Sequence, residues 1–186
     1  TYPDPVSGAV VAGSGPVYTN SPAGRLQTRD WKRGVRTTYA YNAAGALASV
    51  TYSDGTPGVV YTYDRRGRLA TVARNGITTA LTYNDANQPM TETHGGGTLA
   101  LLSMKWAYDT SLRLSAVTAK NGANTLQSAT YGYDTAGRLQ SVTDSPRSAA
   151  YTYHANSTLI STVILTNSGT AGLVSTRAYD KLNRLR

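Results

Sequence analysis

The chain has 186 residues, with 18 Lys and Arg against 10 Asp and Glu for a net charge of +8, no Cys, no Phe, and 14 Tyr that supply nearly all of its aromatic content. Without cysteine it carries neither a disulfide frame nor a thiolate to ligate a metal or attack a substrate. Leu, Ile and Val total only 32 residues, which approaches a disordered composition, but just 15% of residues are charged and 27 threonines join the tyrosines as strand formers, so disorder is the weaker reading.

In chain order, residues 1–16 read as an irregular lead-in. Thr1-Tyr2-Pro3-Asp4-Pro5 has no basic region and no apolar core, so no secretion signal is visible. The chain lacks an initial Met and stops at Leu185-Arg186, and it reads as a piece of something longer. No apolar run approaches the ~18 residues of a membrane helix; one of the longer ones is Leu99-Ala100-Leu101-Leu102.

From residue 17 onward one unit recurs. Tyr61-Thr62-Tyr63-Asp64-Arg65-Arg66-Gly67-Arg68-Leu69 returns as Tyr131-Gly132-Tyr133-Asp134-Thr135-Ala136-Gly137-Arg138-Leu139. Partial copies centre on Ser21, Asn42, Asn84, Asp109, His154 and Asp180; in two of them Tyr108 precedes Asp109 and Tyr179 precedes Asp180. The positions equivalent to Asp are 21, 42, 64, 84, 109, 134, 154 and 180, so residues 17–186 hold eight tandem copies and no separate domain. Asp followed three residues later by Gly is the signature of a type I turn whose last residue is left-handed. Asn87 and Asn183 in the Gly place keep that turn, because Asn tolerates positive φ. Leu112 and Ser157 fit it poorly and predict distorted turns. In the copy at His154, Leu159 stands for the leucine.

A second set of turns is expected between copies, at Asp54-Gly55, Asn75-Gly76, Asn121-Gly122, Ser145-Pro146, and Asn167 with Gly169. Val59/Tyr61/Tyr63 and Ala129/Tyr131/Tyr133 alternate with small or polar residues, the period of a half-buried strand. Leu69 and Val72 break that period, which implies either a bulge or a strand apolar on both faces. The expected architecture is all-β, an antiparallel β-meander of tandem hairpins, forming a curved strip or partial solenoid.

The motif Tyr-x-Tyr-Asp-x-x-Gly-Arg-Leu, complete at 61–69 and 131–139, resembles the RHS/YD-repeat family. The resemblance covers about residues 17–186. It implies a β-strip that spirals into a hollow shell, as in bacterial polymorphic toxins and toxin complexes, where the shell encloses a toxic C-terminal segment, and in the animal teneurins. Some members cut themselves at an aspartate core motif. The only Asp-Pro here, Asp4-Pro5, lies outside the repeats and lacks the following Gly-Leu. The resemblance therefore implies shell material of an exported or surface bacterial protein, non-enzymatic and without a cofactor. Its partners would be flanking repeats, a second copy meeting it at strand edges, and an enclosed toxin domain.

Other chemistry finds little support in the residues. Asp64, Asp109, Asp134 and Asp180 hold turns, the other six carboxylates are scattered, and His94 and His154 without Cys make no usual zinc site. His94-Gly95-Gly96-Gly97 matches an esterase oxyanion string, but no Gly-x-Ser-x-Gly elbow accompanies it, so it reads as a loop. Arg25, Arg68, Arg113, Arg138 and Arg184 follow the turn residue and are expected to lie against neighbouring rings. Arg29, Lys32, Arg33 and Arg36 around Trp31 form the one dense basic patch. It could contact nucleic acid or an acidic glycan, but no nucleic-acid motif accompanies it and it reads as a solvated loop. The alternative function is a glycan- or protein-binding surface module in which tyrosines stack on sugars. Twelve of the 14 tyrosines sit in repeat copies ahead of a turn, so filling one sheet face is their favoured role.

Overall fold

The structure, a computed structural model, describes residues 15–186, so all but the last two positions of the expected lead-in, and Asp4-Pro5 with them, lie outside the described residues. Fifteen strands follow: β1 (Val17–Asn20), β2 (Leu26–Asp30), β3 (Arg36–Tyr41), β4 (Leu47–Tyr52), β5 (Val59–Tyr63), β6 (Leu69–Arg74), β7 (Ile77–Tyr83), β8 (Pro89–Gly95), β9 (Leu102–Tyr108), β10 (Leu114–Asn121), β11 (Asn124–Tyr133), β12 (Leu139–Asp144), β13 (Arg147–Tyr153), β14 (Ile160–Asn167) and β15 (Thr170–Thr176). The sheet order is the sequence order, from β1 to β15, antiparallel throughout. A single 3-10 turn, Gly97–Leu99, is the only helical element among the described residues. The chain divides into two compact units: one reaches to Leu81 and includes His94–Ala100, and the other comprises Thr82–Thr93 and Leu101–Arg186.

In the first unit the register explains the broken alternation. Thr62 pairs with Thr71 and Tyr63 with Leu69, so Ala70 is an extra residue on β6. With Ala70 bulged out, Leu69 and Val72 fall on one face, opposite Tyr63 and Tyr61. The strand is therefore bulged, which accounts for the three-residue spacing of its apolar positions. In the second unit the same offset puts Leu139 against Tyr133 and Val142 against Tyr131, with Gln140 extra. The middle residue of Tyr-x-Tyr points to the opposite face, where hydroxyls pair across the hairpin, as Thr62 with Thr71 at 2.6 Å and Thr152 with Ser161 at 2.8 Å.

Both units are single layers with little closed core. Among the described residues only Val50 (8% exposed) and Thr37 (4%) count as buried, and no large side chain is fully enclosed. The repeated Tyr, Leu and Val side chains of β5–β6 and β11–β12 are half-buried. Side-chain burial of this kind is worth less per residue than in a closed core, so inter-hairpin bonds assume a larger share of the work.

Three expectations about turns change. Leu112 keeps the regular turn, with its N–H bonded to the Asp109 carbonyl at 2.9 Å, because it adopts φ 62° itself instead of distorting the loop. The His154 turn is altered, as expected at Ser157: it is one residue longer, and Asn156 takes the positive φ of 52°. Ile160 therefore faces Tyr153 in the leucine place, and Leu159 falls at the arginine place. Between copies, Asn75-Gly76 forms the β6–β7 turn, but Asn121 is the last paired residue of β10, and Gly122-Ala123 makes the turn. The two 25-residue spacings have different causes: the first holds the 3-10 turn, while the second holds the longer strands β10 and β11 with an added register shift at Ala119.

Leu112 is 54% exposed, so its strained φ is not offset by burial. Leu112→Gly is expected to raise stability in urea unfolding by about 0.5–1 kcal/mol, whereas Gly137→Ala at φ 80° should lower it by about 1 kcal/mol. Loss of stability in the Leu112 variant would refute the strain account.

Candidate functional site: the lock between hairpins

Each repeat turn closes with two backbone bonds. Asp64 N–H reaches the Arg68 carbonyl at 2.9 Å, and Gly67 N–H reaches the Asp64 carbonyl at 3.0 Å. This is the type I turn followed by a left-handed bulge residue that suits a short hairpin. The carboxylate then fills the turn. At Asp64, Asp109, Asp134 and Asp180, Oδ1 accepts the backbone N–H groups two and four residues on, and Oδ2 accepts the arginine Nε–H, all at 2.7–3.0 Å. Charge-assisted bonds of this geometry are among the stronger ones available. Substitutes reproduce part of the pattern. Asn84 Oδ1 accepts the Gln88 N–H at 2.9 Å while its Nδ2 donates to Gln88 Oε1 at 3.0 Å, a neutral copy of the Asp–Arg pair. Asn42 Oδ1 and Ser21 Oγ accept the closing amides of Ala46 and Arg25.

These contacts hold the carboxyls below their ordinary range. For Asp109, Asp134 and Asp180 the foremost cause is the backbone N–H of the residue four on, reinforced by the guanidinium. At Asp64 partial desolvation is the largest influence and acts upward, but the hydrogen bonds from Arg68 and Arg66 together outweigh it.

The turns are linked to their neighbours by tyrosine. The ladder between β4 and β5 stops at Ser49↔Val60, where Ala48 bulges and bends the strand away. Two residues nearer the turn, beyond the last β4–β5 pair, the Tyr63 hydroxyl donates to the Leu47 carbonyl at 2.8 Å. The same offset recurs: Tyr41 to Leu26 (2.9 Å), Tyr108 to Pro89 (2.9 Å), Tyr133 to Leu114 (2.8 Å), Tyr153 to Leu139 (2.6 Å) and Tyr179 to Ile160 (3.1 Å). Arginine covers the ring that makes the bond. Arg113 Cζ lies 4.3 Å from the Tyr133 centroid, Arg138 4.4 Å from Tyr153, and Arg25 5.7 Å from Tyr41. Thus Asp orients Arg, Arg packs on the next tyrosine, and that tyrosine caps the carbonyl following the Arg.

The remaining sequence candidates fall elsewhere. Tyr61 and Tyr131 face Val72 and Val142 across their hairpins. The glycines after His94 serve close packing: a Cβ on Gly96 would strike the Gly76 carbonyl, and one on Gly97 would press on Ile77. His94 Nδ1 lies 3.1 Å from Thr79 Oγ1. The basic patch is partly internal in its bonding. Arg36 pairs bidentately with Asp30 at 2.6 and 3.0 Å, Arg29 stacks 3.5 Å from the Trp31 ring centroid, and Arg33 lies 5.7 Å from the same ring. Lys32 is exposed in the turn. Among the described residues no group of three or more His, Asp or Glu is placed to hold a metal. What composition could not show is the phenol-to-carbonyl offset; the Tyr-x-Tyr spacing placed the ring but not its acceptor.

Tyr63→Phe is expected to cost about 1 kcal/mol in urea unfolding by leaving the Leu47 carbonyl without its donor, whereas Tyr52→Phe, outside the ladder, should stay within about 0.5 kcal/mol. Equal effects would remove the ladder's standing as a lock. For acid, the sign follows from the depressed carboxyls: the unfolded chain takes up protons at a higher pH than the folded one. Their stabilisation is complete above about pH 4 and is lost as pH falls through the lowered folded values. Thermal melts from neutral to strongly acidic pH should show this fall. It should be smaller in a variant with Asn at positions 64, 109, 134 and 180, patterned on the turns that Asn42 and Asn84 already hold.

Comparison with known proteins agrees with this architecture. Residues 63–99 match the family model for the RHS Repeat. The crystal structure of TcdB2-TccC3 superposes with a TM-score of 0.70 at 16% identity, covering 91% of this chain and 10% of that one. A Tc holotoxin pore structure from Photorhabdus luminescens gives 0.72 at 17% identity, over 92% of this chain and 10% of its own. The chain thus spans about a tenth of the length of those proteins. No curated protein sequence matches it. Residues 63–99 are thus similar to the RHS Repeat, and most of the chain shares its fold with these Tc toxin structures.

Proposed function

We propose that the chain is a non-enzymatic segment of the wall of an encapsulating shell, in an exported bacterial protein of the RHS toxin type. Its eight copies over residues 17–186 are the working units, and the named Tyr, Asp, Gly, Arg and Leu positions are its structural site. The observation that carries this reading is the repeated phenol-to-carbonyl bond, made at the same offset by six tyrosines. A device repeated six times along the chain builds length rather than a pocket. The Asp carboxylates are engaged as turn acceptors, which suits scaffolding and not acid–base chemistry. The Tc toxin structures that share the fold support a wall role for a segment of this kind.

A meander offers its end strands for pairing, either to flanking repeats of a longer chain or to a second copy. On β15, Leu173 is 57% and Val174 56% exposed. The 186-residue chain is therefore expected to associate in a concentration-dependent way in sedimentation experiments, and a Leu173→Lys, Val174→Lys double variant should shift it toward monomer. Electron microscopy of a longer parent chain should place these strands in the wall of a closed chamber. Strands seen as a free surface appendage would overturn the reading in favour of a binding module.

A further inference from the structure

The β2–β3 connection copies the backbone of the Asp turns without an acidic residue. Trp31 N–H bonds to the Val35 carbonyl at 2.8 Å, Gly34 N–H bonds to the Trp31 carbonyl at 2.9 Å, and Gly34 has φ 86°. Those are the bonds and the left-handed residue of the Asp64 turn, where Gly67 has φ 77°. There, however, Oδ1 accepts the N–H groups of Arg66 and Arg68. Trp31 offers no side-chain acceptor. Its indole Nε1–H donates to Thr37 Oγ1 at 3.2 Å, which turns the ring toward β3. The equivalent amides, Arg33 and Val35, are left with no bond to a side-chain oxygen among the described residues, although Ser21, Asn42 and Asn84 supply one to the closing amide of their turns.

Cations surround this seat. The guanidiniums of Arg29 and Arg33 lie 3.5 and 5.7 Å from the centroid of the same indole, so two like charges share one ring. Arg29 Nε is buried and has no hydrogen-bond partner among the described residues. Lys32 is exposed beside them. Asp30, paired with Arg36, and Asp54, whose carboxyl Arg33 helps to lower, offset part of this charge but leave the cluster net positive. Backbone N–H groups beside net positive charge make an anion-binding concavity.

We propose that the Trp31 turn is a docking site for a carboxylate on an acidic peptide segment of a partner. One oxygen takes the Arg33 and Val35 amides as Asp64 Oδ1 takes its own, and the other meets a guanidinium of the Arg29–Arg33 pair. The carboxylate is the chemistry the same backbone holds in four other turns of this chain. The site does not depend on the shell reading.

The test is an amide-resolved NMR titration of the 186-residue chain with a blocked Gly-Asp-Gly peptide, its Gly-Asn-Gly counterpart, and inorganic phosphate. The Asp peptide is expected to move the Arg33 and Val35 amides saturably, and the Asn peptide is not. Trp31→Asp supplies an internal carboxylate in the pattern of Asp64, so it should keep the turn and lose at least about tenfold in affinity, the scale of a charge-assisted bond. Arg29→Gln with Arg33→Gln should weaken binding by a similar factor. No saturable response at those amides, unchanged affinity in a folded Trp31→Asp variant, or a response to phosphate alone would overturn the proposal.

Discussion

A strand carbonyl just beyond the last pair between neighbouring hairpins organises this molecule. After six of the repeat turns one extra residue bulges the strand, pairing to the next hairpin stops there, and the carbonyl nearer the turn lies beyond the last pair to that hairpin. Leaving such a group unpaired away from water is costly. A phenol from the following hairpin meets it, and the ring's position then dictates how adjacent hairpins join. The Asp–Arg pair belongs to the same device, because the guanidinium oriented by the turn carboxylate lies over that ring, as Arg138 does on Tyr153.

This device explains how a chain so poor in aliphatic residues holds together. With only Val50 and Thr37 buried among the described residues, apolar burial cannot be concentrated in a core. It is spread along a half-buried tyrosine face, and directional bonds supplement it along the chain. Stability then accumulates by nearest-neighbour terms, as in other repeat proteins. The variability of the copies fits that logic. Asn84 with Gln88 replaces Asp with Arg by a neutral pair of the same shape, and Pro89 replaces Leu because the lock uses only its carbonyl.

The strand-and-turn plan was legible because turn chemistry is local. Asp, Asn and Gly at fixed offsets announce short hairpins, and the Tyr-x-Tyr alternation announces the strands between them. The bulge was half legible: the Leu69 and Val72 spacing required either an extra residue or two apolar faces, and only the register decides between them. The Leu112 turn misled, since positive φ in a leucine is disfavoured locally, yet the hairpin around it enforces that conformation. The Leu159 assignment also failed, because a one-residue lengthening of the turn is invisible until pairing shows Ile160 opposite Tyr153.

The basic patch shows the same division. Its composition marked a cluster around Trp31, but not that Arg36 is already paired with Asp30, nor that the turn beneath repeats the Asp turn without its acceptor. By itself the sequence determined the repeat, its turns, its strands and the face on which tyrosines gather, because these depend on φ preferences and two-residue periodicity within a hairpin. The tertiary structure alone decided the register shifts, the carbonyl each phenol reaches and the ring each arginine covers. Those depend on where one hairpin stops pairing with the next, and residues 14–19 apart in sequence are brought together only when that happens.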